Sequence, residues 1–320
     1  MQDDLRSLIA AWPLPAGYSE PQTFADEIEI AGVPVRRAGI QATTPGGEEV
    51  TGSAAVLHGS PLERAYFELL ERAALLDAAK RACPIRDPDG RLCGFAPPIA
   101  PHTDLRSRPA RSNGVALRPT WEDACRYARY ELVERDRTLG AWYGELSLAP
   151  APPPACLTPF VTHDWIARTV PGDVDVEVAM VFGFPREPGI PLARGFAGGA
   201  STEGALAAAA MEAIQTLAFL WGEPLPAEPP ALSPTPLFHL DYYLWPGNHG
   251  ALREWLETRP AAAPRAVAEA TSFVDLTPPG CESLRVARAV CSSARELVFG
   301  EPPVPLRSAL PASRQVHPIP

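Results

Sequence analysis

The sequence predicts a mixed α/β chain of the α+β kind, with hairpins and strand pairs packed against long helices. Three observations point there. Asp173 to Pro185 (DVDVEVAMVFGFP) alternates strictly, with Val174, Val176, Val178 and Met180 on one face, the period of a half-buried strand. Glu27 to Arg37 (EIEIAGVPVRR) alternates about Gly32, which predicts a hairpin with Pro34 on an edge. Between such stretches lie segments of helical period that open on capping residues.

Taken in order, residues 1–25 read as an irregular lead-in before that hairpin, and Glu48 to about Val56 as a further extended stretch. Ser60 caps a helix reaching Lys80, with Pro61 at its first position and Glu63 completing a Ser-x-x-Glu box; Leu62, Ala65, Leu69, Leu70, Ala73 and Leu76 form its apolar stripe. Residues 81–111, rich in Pro and Arg, read as loop. A second helix is expected from Thr120 to about Leu139, and the proline-dense 146–158 is the best place for an internal boundary. Leu192 to Ala197 offers a partner for the 173–185 strand. An Ala-rich helix from Thr202 to about Trp221, a shorter one from His249 to Thr258, and extended stretches at 271–277 and 284–291 complete the pattern.

Composition narrows the function. The 320 residues are 46% hydrophobic and 21% charged, which is ordinary for a folded chain that buries its own core. A formal charge of −10 disfavours phosphate backbones, so nucleic acid is not an expected partner. Lys80 is the one lysine, which makes Schiff-base chemistry improbable. The six cysteines form no C-x-x-C pair and read as reduced thiols. No signal peptide and no membrane span is expected, so the protein reads as cytoplasmic. His102 with Asp104, and His163 with Asp164, read as surface loop residues, and Cys125 as packing.

Two helical segments carry paired acids. In ELLER, Glu68, Glu71 and Arg72 share a face, as do Glu131, Glu134 and Arg135 in ELVER. Side-by-side carboxylates want a cation between them. Arginine or hydrated Mg²⁺ supplies it; a solvated face of i,i+4 Glu–Arg pairs is the better account of either segment alone, and the two copies together bring the readings level. Before the second copy, Ser112, Asn113 and Gly114 form a polar turn that can present N–H groups to an anion.

The order of these pieces resembles the YcaO family of ATP-dependent enzymes that modify peptide backbone amides. SNGVALRPTWEDACRYARYELVERD, with Asp123, is similar to that family's S-N-G-x-A turn followed by an E-x-x-E-R-D helix. GFAGGASTEGALAAAAMEAIQ is similar to its glycine turn and E-x-x-Q helix, here Glu212 and Gln215. FHLDYYLWP, FVDLTPPG and the proline-rich VHPIP follow in family order, the last like azoline-forming members. The likeness covers about 45–320, with 1–44 as lead-in and hairpin. The interval between the two E-x-x-E-R motifs is short, Pro119 stands where many members have asparagine, and Asp123 replaces glutamate.

The resemblance implies a YcaO-like fold whose long helices form an ATP site. It implies Mg²⁺ on Glu68, Glu71, Glu131, Glu134 and Glu212, and ATP contacts from those residues with Arg72, Ser112, Asn113, Asp123, Arg135 and Gln215. It implies catalytic placement of His317, Pro318 and Pro320. The activity it implies is azoline-forming cyclodehydration of Cys, Ser or Thr in a ribosomally made precursor peptide. Thioamide or amidine formation, or a non-catalytic scaffold, are the alternatives. A partner protein that binds the leader peptide is expected, a homodimer is allowed, and no membrane is involved.

Overall fold

The computed structural model describes residues 2–98, 107–110, 112–171, 175–257, 272–281, 283–302 and 315–319. Its elements in chain order are α1 (Gln2–Ala11), β1 (Gln22–Ile30), β2 (Val33–Thr43), β3 (Glu49–Val56), α2 (Leu62–Ala78), β4 (Cys83–Arg86), β5 (Leu92–Ala96), β6 (Ser107–Pro109) and β7 (Val115–Arg118). Then follow α3 (Trp121–Trp142), β8 (Ala149–Ala151), β9 (His163–Thr169), β10 (Glu177–Pro185), β11 (Ala193–Gly199) and α4 (Thr202–Leu220). The last are α5 (Pro236–Leu244), α6 (His249–Glu257), β12 (Ser272–Asp275), β13 (Arg285–Val290) and β14 (Val298–Gly300). The mixed α/β expectation holds. The chain forms two compact units, the first from Met1–Pro101, Arg111–Leu132 and Glu269–Ser292, the second from His102–Ala110, Val133–Ala268 and Ser293–Pro320. The connector at 146–158 lies wholly inside the second.

In the first unit, β1, β2 and β3 form an antiparallel sheet in that order. Ala31 (φ 51°) and Gly32 (φ 83°) make the two-residue turn between β1 and β2, and two positive φ values match the strand twist. Pro34 is not on an edge strand, as expected from sequence, because β2 is central. It is tolerated since the β2–β3 ladder begins only at Arg36 opposite Val56. The lead-in is not irregular either. Leu5, Leu8 and Ile9 of α1, at helical spacing, pack into the core of α2, β2 and β3. Tyr66 on α2 donates to the Trp12 carbonyl at 2.6 Å.

α2 begins at Leu62, whose N–H reaches Ser60 Oγ at 3.3 Å, and it ends at Ala78, two residues before Lys80. The 81–111 stretch is not all loop. β4 and β5 pair across a turn where Gly90 (φ 83°) donates to the Asp87 carbonyl, and β6 follows. β4 and β5 join β12, β13 and β7 in a five-stranded sheet ordered β5-β4-β12-β13-β7. Short strands of this kind take their stability from neighbours distant in sequence, which a local pattern does not contain.

In the second unit, β11, β10, β9 and β8 form an antiparallel sheet, and β14 pairs with β6. β10 is buried on both faces rather than half-buried. Val181, opposite Gly195, lies on the face that α4 covers, while Phe182 on the other packs edge-on to Trp255 of α6. Val174 lies outside the described residues. Trp142, at the end of α3, stands edge-on to Trp255 at 4.9 Å. α4 is long and apolar enough to cross a membrane by composition, yet here it packs on β10 and β11. α5, capped by Thr235 Oγ1 accepting from Phe238 N–H, is an element that the sequence pattern did not show. His163 is buried in β9, its Nε2 3.0 Å from the Pro191 carbonyl, and is no surface loop residue. His102 and Asp104 lie outside the described residues.

Candidate active site

The five acids of the helices share one construction: each carboxylate accepts a backbone N–H from a strand. In the first unit Glu68 accepts from Ser53 at 2.6 Å, Glu71 from Leu117 at 2.9 Å and Glu131 from Val115 at 3.0 Å. In the second, Glu134 accepts from Gly198 at 3.2 Å and Glu212 from Phe196 at 3.0 Å. A carboxylate fixed this way has one oxygen oriented by the fold and keeps further lone pairs for a cation.

Three of these contacts repeat a single packing motif. A glycine in a strand, or just before one, lies against a helix backbone, the next residue donates to a helix glutamate, and an alanine stands three residues before that glutamate. The sets are Gly52, Ser53, Ala65 and Glu68; Gly114, Val115, Ala128 and Glu131; and Gly195, Phe196, Ala209 and Glu212. A Cβ on Gly52 would lie 2.1 Å from the Ala65 carbonyl oxygen, and one on Gly195 would lie 2.0 Å from that of Ala209. At Gly114 the approach is looser, 3.5 Å from the Ala128 oxygen, and φ of +71° adds its own demand for glycine. The glycine lets strand and helix touch, and touching brings N–H to carboxylate.

Sequence reasoning found the glutamates but not their donors. The signal is present as Ala-x-x-Glu in AYFEL, ARYEL and AAMEA, each following by a similar interval a glycine in a strand or just before one.

Electrostatics separates the acids. Burial pushes the Glu71 carboxyl up to about 7, and the Leu117 N–H and Arg118 only partly oppose it. Burial likewise raises Glu212 to about 7, with Glu134 adding to the effect and Arg135 opposing it. Glu134 is raised by burial against the pull of Arg135, whose Nε lies 3.4 Å away. Glu68 is instead paired with Arg72 at 2.5 Å, and Arg72 also donates to the Thr51 carbonyl at 3.0 Å.

The remaining expected residues are placed as follows. Ser112 is exposed, and Asn113 carries a buried Oδ1 with no hydrogen-bond partner among the described residues. Asp123, on the first turn of α3, is engaged by Arg126, and its N–H is capped by Thr120 Oγ1 at 3.1 Å. Gln215 lies on α4 just beyond Glu212 and is half-buried. His317 and Pro318 are buried in the second unit, and Pro320 lies outside the described residues.

These groups fit a hard cation. Every donor is oxygen, and on Glu71 and Glu212 a divalent ion would take the place of the proton that burial favours. Among the described residues no three His, Cys, Asp or Glu side chains converge as a ready-made metal cage. Mg²⁺ does not need one, since it keeps waters and takes phosphate oxygens beside one or two carboxylates. The buried, unpaired Asn113 Oδ1 is a further polar group of the kind a ligand satisfies.

Comparison with solved structures supports the fold. YcaO from Methanopyrus kandleri, bound with AMPPCP and Mg²⁺, has a TM-score of 0.64 at 17% identity, over 95% of this chain and 94% of that one. A heterocyclase in complex with substrate and cofactor gives 0.59 at 14% identity, over 91% of this chain and 52% of that longer one. The E. coli microcin synthetase McbBCD complex gives 0.52 at 11% identity, over 80% and 84%. No curated protein matches this chain in sequence. The family model described as YcaO cyclodehydratase, ATP- and Mg²⁺-binding, matches residues 75–292, which hold α3, α4 and the second and third of the strand-anchored motifs, and the chain belongs to the YcaO family.

Proposed function

We propose that this chain is an ATP-dependent cyclodehydratase that forms azolines from Cys, Ser or Thr of a ribosomally made precursor peptide. The observation that carries the proposal is the set of helix carboxylates, each anchored by a strand N–H and three of them held by burial in want of a cation. Glu68, Glu71, Glu131, Glu134 and Glu212 would hold Mg²⁺ and with it the ATP phosphates. Arg72, Arg135, Ser112, Asn113, Asp123 and Gln215 would complete the nucleotide contacts. ATP supplies the phosphoryl group that makes the substrate's amide oxygen a good leaving group once a side-chain nucleophile has added to the carbonyl.

The chain's own part is positioning. The strand N–H groups fix the carboxylates before anything binds, so charge neutralisation at the transferring phosphoryl needs little rearrangement. The McbBCD relative is a complex of several proteins, and the M. kandleri relative holds a nucleotide analogue with Mg²⁺. The second supports a chain that works with ATP and Mg²⁺ and the first one that works in an assembly; the precursor peptide and a partner that binds its leader complete the proposal.

Calorimetry with Mg²⁺ and a non-hydrolysable ATP analogue tests the nucleotide site. Binding is expected in the wild type and lost in Glu131→Gln and Glu134→Gln. Mass spectrometry of a Cys/Ser/Thr-rich precursor, with the partner present, is expected to show loss of water. Exchange of oxygen for sulfur would assign the thioamide chemistry instead. Absence of nucleotide binding in the wild type would reduce the chain to a scaffold, a role to which Pro119, in place of a metal-assembly asparagine, also lends itself.

A further inference from the structure

In the second unit, α5 holds the segment 316–319 by its backbone. His239 and Tyr243, one helical turn apart, point the same way. His239 Nδ1 lies 3.0 Å from the His317 carbonyl oxygen, and the Tyr243 hydroxyl donates to the Val316 carbonyl. The chemistry of the partners fixes the tautomers. The Gly300 N–H can only donate, and it meets His239 Nε2 at 2.9 Å, so Nδ1 carries the His239 hydrogen. The Val298 carbonyl can only accept, and it lies 2.9 Å from His317 Nε2, so Nδ1 of His317 presents the lone pair.

That lone pair is buried and has no hydrogen-bond partner among the described residues. The two imidazoles stack with centroids 4.1 Å apart, and both rings contact Phe299. His239 is fully buried and His317 is 3% exposed. Arg194, itself buried, donates to the His239 carbonyl from both terminal nitrogens at 3.3 Å, which ties the α5 backbone to β11. Arg194 stands on β11 two residues before Phe196, whose N–H donates to Glu212, so one strand holds both the α5 clamp and a carboxylate of the second unit.

We propose that His239 and Tyr243 are positioning residues that clamp the Val316–Ile319 backbone so that His317 is presented beside the carboxylates of α3 and α4 for the ATP-dependent reaction. Their role in that reaction rests on the cyclodehydratase reading; the clamp itself does not. Each acts through segment 316–319 and not by direct contact with substrate or nucleotide.

Side-chain isosteres test it in the full chain. In His239→Asn the amide nitrogen replaces Nδ1 and keeps the donor to His317. His239→Gln places its amide near Nε2, keeping a partner for Gly300 but losing that donor. Tyr243→Phe keeps the ring and loses only the hydroxyl.

Hydrogen exchange at the Val316, His317 and Ile319 amides is expected to accelerate at least tenfold in His239→Gln and Tyr243→Phe, and to change less in His239→Asn. With precursor and partner, kcat is expected to fall at least tenfold in the first two, with KM for ATP within twofold and substantial activity retained by His239→Asn. Unchanged exchange in His239→Gln and Tyr243→Phe overturns the clamp. Faster exchange with unchanged kcat overturns its role in the reaction. A wild type that neither binds nucleotide nor turns over sinks the cyclodehydratase reading instead, and exchange still decides the clamp.

Discussion

The Phe196 N–H meets Glu212 Oε2 at 3.0 Å across the place where Gly195 brings β11 against the backbone of α4. The hydrogen bond and the close approach are one feature. Without the glycine the helix would stand off from the sheet, and the carboxylate would lose its donor.

Gly195→Ala therefore tests the construction directly. The new methyl would lie 2.0 Å from the Ala209 oxygen and 2.6 Å from the Ala213 nitrogen, both backbone atoms that cannot rotate away. The expected loss is about 1–3 kcal/mol, the usual range for overpacking, and toward its upper end against backbone atoms. Gly94→Ala is the control, since nothing lies within 4 Å of its added methyl. Urea denaturation of both variants is expected to show a large loss in the first and little change in the second.

Burial in the His239 cluster makes the fold acid-sensitive. Burial lowers the His239 pKa to about 4; Arg194 and the Gly300 N–H on Nε2 oppose its protonation, and the His317 carbonyl partly favours it. The folded value lies below the unfolded one, near 6.5, so the unfolded chain binds more protons in that interval. The stabilising contribution is full above about pH 6.5 and falls by about 3 kcal/mol as pH drops toward 4. Comparing urea midpoints of the wild type and His239→Asn across this window checks it, because the variant removes the titrating ring. Equal pH slopes would contradict the assignment.

How legible was this molecule before its fold was known? The cap did its work at Thr120, where a hydroxyl oxygen accepts a helix N–H, and α3 and α4 start where the sequence says; α4 is capped in the same way by Ser201, which the sequence reading did not single out. The hairpin about Gly32 was equally readable, since glycine takes the positive φ a tight turn needs; Ala31, at φ 51°, carried no such signal. β4 was not, since CPIR has no period of its own and becomes a strand only by pairing with β12, about 190 residues away. The same physics hid half of the site. Glu68, Glu71, Glu131, Glu134 and Glu212 are chemically conspicuous, whereas their donors are peptide N–H groups of Ser53, Leu117, Val115, Gly198 and Phe196. A backbone donor has no residue type to recognise; only the glycine beside it leaves a trace.

Charge is buried at Asp136 as well, and Arg295 neutralises it. The guanidinium reaches Asp136 at 2.8 Å and Glu145 at 2.6 Å, and Asp136, 2% exposed, also accepts the Arg295 N–H at 2.8 Å. Arg295→Met keeps the bulk and leaves Asp136 with an uncompensated buried charge, at an expected cost of about 3–5 kcal/mol. Adding Asp136→Asn is expected to recover part of that loss, because the charge that lacked a partner is gone. Thermal melts of the two single variants and the double variant check this, and a double variant no more stable than Arg295→Met would contradict it.

Glu212 separates folding from ligand binding. In Glu212→Gln the amide oxygen still accepts from Phe196 N–H, so the strand–helix contact keeps its hydrogen bond and stability is expected within about 1 kcal/mol of wild type. In Glu212→Ala that N–H loses its partner beside the tight Gly195 packing, and the expected cost is about 1–3 kcal/mol. A divalent cation distinguishes them differently. Glutamine offers one neutral oxygen, already engaged by Phe196, where glutamate offers a charge and a second oxygen, so both variants are expected to lose Mg²⁺-dependent nucleotide binding. Denaturation and calorimetry on the same samples then give a clear pattern: Glu212→Gln folded but unable to bind, Glu212→Ala weakened in both. If Glu212→Gln binds the Mg²⁺–nucleotide analogue as the wild type does, Glu212 serves the packing of α4 on β11 and not the cation.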